Sequence, residues 1–130
     1  MITSVLVDSN FYIDRARQGI DPFAELEAAN SDWEMITCGM VMVEVLRGVK
    51  QARARERFTA AFSVMLYVPS NNTVWDRTWR LGWEMDRLGH VIPGADLVIA
   101  AHALQVGAAV LTADHHFHLV PRLKVLERLR

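Results

Sequence analysis

Five short runs rich in apolar and β-branched residues divide the chain, at residues 3–7, 34–38, 64–68, 109–112 and 123–126, and each predicts a strand. The first is apolar without alternation, the pattern of a strand covered on both faces, and it stops abruptly at Asp8-Ser9-Asn10, where a helix through Phe11, Tyr12 and Ile13 takes over. Pro22 opens a helix of about two turns holding Phe23 and Leu26. From Gly39 the period becomes helical: Val41, Val45 and Val49 share one face, Met42 and Leu46 lie beside them, and the segment runs on through RGVKQARARER to Phe58 and Phe62. Residues 73–88 form a long amphipathic helix with Val74, Trp75, Trp79, Leu81 and Met85 as core candidates. Residues 96–106 are apolar on nearly every side, which predicts a helix packed on more than one face and stopped by Gly107.

Strands alternating with helices, joined by connections too long for hairpins, imply an α/β sandwich around a mainly parallel sheet. Nothing in the chain reads as a linker, a repeat or a low-complexity segment, so residues 1–130 are expected to form a single domain.

Composition narrows the picture mainly by exclusion. Hydrophobic residues make up 52% of 130, enough for a sizeable core. Fourteen basic residues nearly balance 15 acidic ones, so any nucleic-acid or membrane partner must be met by a local patch. A lone cysteine, Cys38, precludes an internal disulfide and suits a reducing compartment. With neither an export signal nor a membrane span in the pattern, the cytoplasm is the expected location.

Acids stand at marked places. Asp8 follows the first strand, Asp114 follows the strand at 109–112, Asp96 opens the helix before it, and Glu44 interrupts an apolar helical stripe. In open parallel sheets the ligand crevice lies beyond the carboxyl ends of the strands, where Asp8 and Asp114 fall. Four carboxylates in one cleft repel one another unless a divalent cation compensates them, and oxygen ligands suit Mg²⁺ or Mn²⁺. The helix N-terminus is expected to favour the ionised form of Asp96. Each acid also has a local reading: Asp8 and Asp96 as helix caps, Asp114 as a turn residue, Glu44 as the partner of a nearby arginine.

The pieces VLVDSNFYID at 5–14, VEVLRG at 43–48 and above all GADLVIAAHALQVGAAVLTADHHF resemble the PIN-domain ribonucleases, and within them the VapC-type toxins of bacterial toxin–antitoxin pairs. The resemblance spans nearly the whole chain, in order. It implies a PIN-like α/β/α sandwich and a Mg²⁺-dependent endoribonuclease, with Mn²⁺ as a substitute ion. Its metal-holding acids correspond here to Asp8, Glu44, Asp96 and Asp114. Metal-activated water would then cleave structured RNA, transfer or ribosomal, leaving a 5′-phosphate. It further implies a homodimer inhibited by a small antitoxin. A common family variant carries another acid just after the last aspartate, where this chain has His115 and His116, which leaves open whether one or two ions are held. The alternative is a PIN-like module that binds RNA or protein without cleaving. A third reading, with Asp8 as a phosphoryl-accepting nucleophile, lacks a lysine within the acidic segments.

Further residues attach to the site by position. Ser9 beside Asp8 and Thr112 two residues before Asp114 are candidates to orient the carboxylates. Arg47, Lys50, Arg53 and Arg57 fall within about 120° of one helical face if the helix is continuous there, a candidate RNA contact; Arg55 belongs to the same basic run. Against these stand a solvated helix face and a dimer or antitoxin contact. The run Asp114 to His118 invites imidazole coordination, but adjacent histidines point in different directions, and the resemblance makes His116-Phe117 a structural anchor. His102 reads as a hydrogen-bonded core or interface histidine. Trp75, Trp79 and Trp83 recur every four residues, which suits core or dimer packing better than base stacking.

Overall fold

Each apolar run becomes a strand, and the polar or turn-forming residues after it set where the strand ends. The computed structural model describes residues 3–29 and 32–129. Its strands are β1 (Ser4–Val7), β2 (Glu34–Cys38), β3 (Leu66–Val68), β4 (Ala109–Leu111) and β5 (Val125–Leu126). They lie in the order β3-β2-β1-β4-β5, and every pairing is parallel. Among the described residues six α-helices flank this sheet: α1 (Ser9–Arg17), α2 (Pro22–Ala28), α3 (Gly39–Leu46), α4 (Ala52–Ser63), α5 (Asn72–Arg87) and α6 (Gly94–Val106). A 3-10 turn at His115–Leu119 follows β4. The expected α/β class holds, and the mainly parallel sheet is wholly parallel. Parallel strands need crossovers that cover both faces, which is why β1 and β4 lack polar alternation and are buried.

Local chemistry sets the helix ends. Asn71 accepts the Val74 N–H at 3.0 Å to start α5, and Asp21 accepts the Phe23 N–H at 3.0 Å ahead of Pro22. Gly107 ends α6 in the left-handed region at φ 68°.

Tyr12 of α1 packs against Phe23 of α2 and Phe62 of α4, with ring centroids 5.5 and 5.1 Å apart, and Phe23 meets Phe58 edge-on at 5.0 Å. Such aromatic pairs each add about 0.5–1.5 kcal/mol beyond their area burial. On the other side α5 lies close along α6. Gly82 permits the approach, since a Cβ there would stand 3.0 Å from Leu97 Cδ1. Helix α6 is accordingly buried at Val98 through Ala103. Within it His102 is satisfied: Nδ1–H donates to the Val98 carbonyl at 2.7 Å, and Nε2 pairs with the Ser70 hydroxyl at 2.7 Å. Among the described residues no helix is long and apolar enough to cross a membrane.

Two expectations change. The helix from Gly39 is not continuous: α3 stops at Leu46, residues 48–51 are non-helical, and α4 begins after Gln51 in an extended conformation. Gly48 and β-branched Val49 weaken the helix at that point, and the break frees Phe58 and Phe62 to face α1 and α2. The basic run is thereby split, with Arg47 capping α3, Lys50 in the connection, and Arg53 and Arg57 on α4. Arg57 is engaged by Asp21 at 3.1 Å. Second, Trp75 and Trp79 are not core residues: Trp75 is 46% exposed, and Trp79 and Trp83 are 59% exposed. Val74, Leu81 and Met85 carry the buried stripe of α5, about 140° away from the centre of the tryptophan face around the helix.

Candidate metal centre

Because β1 and β4 are parallel neighbours in the register Val7 to Leu111, the residues following each strand arrive at the same edge. The Asp8 N–H donates to the Leu111 carbonyl at 3.0 Å, extending the ladder by one step. The Thr112 hydroxyl then donates to Asp8 Oδ2 at 2.8 Å and accepts the Asp114 N–H at 2.9 Å. Asp114 Oδ1 accepts the His116 backbone N–H at 2.9 Å, which folds the turn so that His116 Nδ1 stands 3.0 Å from the same oxygen. His116 Nδ1 also lies 3.3 Å from Asp96 Oδ2, in the first turn of α6. From the opposite side, the Ser9 hydroxyl donates to Glu44 Oε1 at 2.8 Å, with Asp8 Oδ1 at 3.4 Å. Asp8, Glu44, Asp96 and Asp114 are thus brought together, linked by Ser9, Thr112 and His116.

The same contacts decide among the local readings. Asp8 occupies the cap position of α1 but makes no side-chain cap bond, and Asp96 lies inside α6, whose cap position is Pro93. Asp114 does cap the 3-10 turn through His116. Glu44 has a serine partner, and among the described residues no lysine or arginine forms an ion pair with any of the four acids.

Lack of cationic partners shows in the acidities. Asp8 is wholly buried, and its carboxyl is pushed up to about 6: burial dominates, Asp96 and Asp114 add repulsion, and the bonds from Thr112 and the Ser9 N–H only partly oppose them. Asp96 is also pushed up to about 6, by burial and then by Asp114, with partial relief from His116. This reverses the expected effect of the helix N-terminus, because burial and a facing carboxylate outweigh the dipole. Cys38 at the head of α3 is buried, and its thiol is raised by burial, with Glu44 and Asp8 further opposing its ionisation.

A carboxylate cluster short of positive charge is a receptor for a cation. Asp96, Asp114 and His116 each offer a ligand atom, all within 4.8 Å of one another. Two carboxylates and an imidazole are donors that Mn²⁺ accepts readily, and the oxygens alone suit Mg²⁺. The residues present therefore fit a divalent cation. His116 is the member that sequence reasoning placed elsewhere, as an anchor. The legible signal was the Asp114-x-His116 spacing, which closes a capped turn and returns the ring to the acid. His118 points away, 3.6 Å from Glu127, and Phe117 is buried, so the histidines do diverge and only His116 reaches the acids.

The structure is a wholly parallel α/β sandwich with acids converging beyond its central strands, at the carboxyl edge of the sheet. The chain belongs to the PIN domain family, whose profile matches residues 5–123. No curated protein matches it. In fold it is similar to VapBC2 from Rickettsia felis, solved bound to a DNA fragment from their promoter, with a TM-score of 0.76 and 18% identity over 95% of this chain and 98% of that one. It is likewise similar to DNA-bound VapBC from Salmonella typhimurium, with a TM-score of 0.76 and 21% identity over 97% and 98% of the two chains. A third similar structure is VapBC-5 from Mycobacterium tuberculosis, a member of the VapBC family of toxin–antitoxin systems, at a TM-score of 0.62 and 20% identity over 95% and 96%.

Proposed function

We propose that this chain is a metal-dependent endoribonuclease, the toxin of a toxin–antitoxin pair, acting on structured cellular RNA such as transfer or ribosomal RNA. The observation that carries the reading is the convergence of Asp8, Glu44, Asp96 and Asp114 with, among the described residues, no lysine or arginine paired to them. The acids hold Mg²⁺, with Mn²⁺ as a substitute. When bound, the ion offsets the carboxylate repulsion and supplies Lewis-acid chemistry for in-line displacement at a phosphodiester. The chain's own residues do the positioning. Thr112 and Ser9 fix Asp8, Ser9 fixes Glu44, the capped turn fixes Asp114, and the buried α6 holds Asp96 on a rigid element. Ser9 and Thr112 thus act through the carboxylates rather than on the substrate.

This chemistry does not need the RNA 2′-hydroxyl, so the products carry 5′-phosphates. The partners proposed with it are a small antitoxin, in keeping with the toxin–antitoxin systems whose fold the chain shares, and a second copy of itself. It works as a single domain in the cytoplasm. Purified protein incubated with total RNA and Mg²⁺, followed by sequencing of 5′ ends, tests the reading: discrete 5′-phosphate ends are expected with the wild type and none with Asp96→Asn. RNA binding without cleavage would favour the silent binding module, and cleavage by Asp96→Asn at the wild-type rate would remove that residue from the site.

A further inference from the structure

We infer that the groove between α1 and the α3–α4 connection holds the phosphate backbone of a single-stranded RNA segment adjoining the cleaved bond, with Arg17, Arg47 and Lys50 as its contacts. The inference rests on the ribonuclease reading above. The groove encloses about 560 Å³ and is lined by Arg17 from the last turn of α1, Arg47 at the end of α3, and Lys50 from the connection that interrupts the helix. All three side chains are exposed, and among the described residues none is in an ion pair. The one acid in the lining is Glu44, which the Ser9 hydroxyl joins to the Asp8 side of the acidic centre. The groove therefore meets the acidic centre at Glu44, and a polymer with one phosphate at the centre continues into it.

Two other grooves have less positive excess or none. One sets Arg77, Arg80 and Arg122 against Asp76 and Glu84, and another sets Arg57 against Glu27 and Glu34. Only the first pairs excess positive charge with access to the centre, which answers the requirement that a nearly neutral chain meet RNA by a local patch. Its floor is aliphatic, from Ile13, Val45 and Val49, while Tyr12 and Phe58 lie buried beneath and offer no ring face for stacking. The contact is with the backbone and tolerates any base.

The test is binding of a 5′-labelled single-stranded oligouridylate by the full chain in EDTA, followed by fluorescence anisotropy over a range of salt. Each phosphate contact contributes about 0.7 to the slope of log affinity against log salt, so Arg17→Gln, Arg47→Gln and Lys50→Gln should each flatten it by about that amount. The triple variant should bind at least about tenfold more weakly at low salt and, with Mg²⁺, raise KM far more than it lowers kcat. Arg87→Gln, in the last turn of α5 and outside the groove, should leave the slope in place. A triple variant with wild-type affinity and slope overturns the inference. So does loss of binding to a polyglutamate peptide with RNA binding untouched, which would make the groove a protein site. If the wild type binds RNA through these three residues but never cleaves it, the ribonuclease reading fails and the groove stands. If it cleaves and the groove variants are unaffected, the groove alone fails.

Discussion

Thr112 Oγ1 lies 2.8 Å from Asp8 Oδ2, a hydrogen bond across 104 positions of sequence, while the same oxygen accepts the Asp114 N–H. One buried hydroxyl thus ties two acids of the centre. Thr112→Val keeps the shape but leaves the Asp114 N–H and an Asp8 oxygen without their partner, at a cost of about 1–3 kcal/mol. Thr112→Ser should recover most of it. Denaturant unfolding of the three proteins measures the difference, and equal midpoints for valine and threonine would show that the hydroxyl holds nothing.

Removing a charge from the cluster should stabilise the metal-free protein while ending its activity. The Asp8 carboxyl moves from 3.8 to about 6 on folding. A displacement of that size is about 3 kcal/mol against the ionised form, and Asp8→Asn should regain about 1–2 kcal/mol of it near pH 7.5 because the amide also disturbs the Thr112 and Ser9 bonds. Thermal melts in EDTA, run beside an RNA cleavage assay, read both effects. A variant less stable than wild type, or one still active, contradicts the prediction.

Acid pH should favour the metal-free fold. Asp8 and Asp96 both have folded values raised to about 6 from 3.8. Each is a group that binds its proton more tightly when folded, so its stabilising contribution is complete below about 4 and is lost as pH rises through about 6. In EDTA the contribution of this pair should therefore be larger near pH 5 than near pH 7.5, and Asp8→Asn should remove much of that difference. Divalent cations compete with those protons, so the stabilisation they give should grow over the same interval. Melting temperatures with and without Mg²⁺ at both pH values provide the check.

His116 should set which ion is preferred. Its ring adds nitrogen to an otherwise oxygen donor set, and nitrogen suits Mn²⁺ better than Mg²⁺. His116→Ala should weaken Mn²⁺ by about tenfold or more and Mg²⁺ by less, measured by titration calorimetry. His115→Ala should change neither ion's affinity. An equal loss for both ions would mean that His116 only positions Asp114 and Asp96.

Strands, helix order and the four acids were legible because period and turn chemistry act over a few residues: Asp8 follows a buried run, Gly107 stops a helix, Asn71 starts one. What escaped depends on tertiary packing. The periodic face of Val41, Val45 and Val49 gives no sign that the chain turns at Gly48 to bring Phe58 and Phe62 onto Tyr12 and Phe23. Trp75 and Trp79 are large and apolar, yet the stripe of Val74, Leu81 and Met85 beside them is the one that meets the core. The acidity of Asp96 follows first from its burial and then from its distance to Asp114 and His116, which helix position alone does not contain.

Strand β1 sits at the middle of the sheet, with β2 on one side and β4 on the other. Thr112, which ties Asp8 to the strand that precedes Asp114, lies 104 positions after it, so the centre depends on the longest-range strand pairing among the described residues. Pairings of that kind close slowly. From the synthesis of Asp8 to that of Thr112 the chain therefore carries its chemistry unfinished. A copy cut short between α6 and β4 keeps Asp8, Glu44 and Asp96 and lacks both Asp114 and the threonine that ties Asp8 to it.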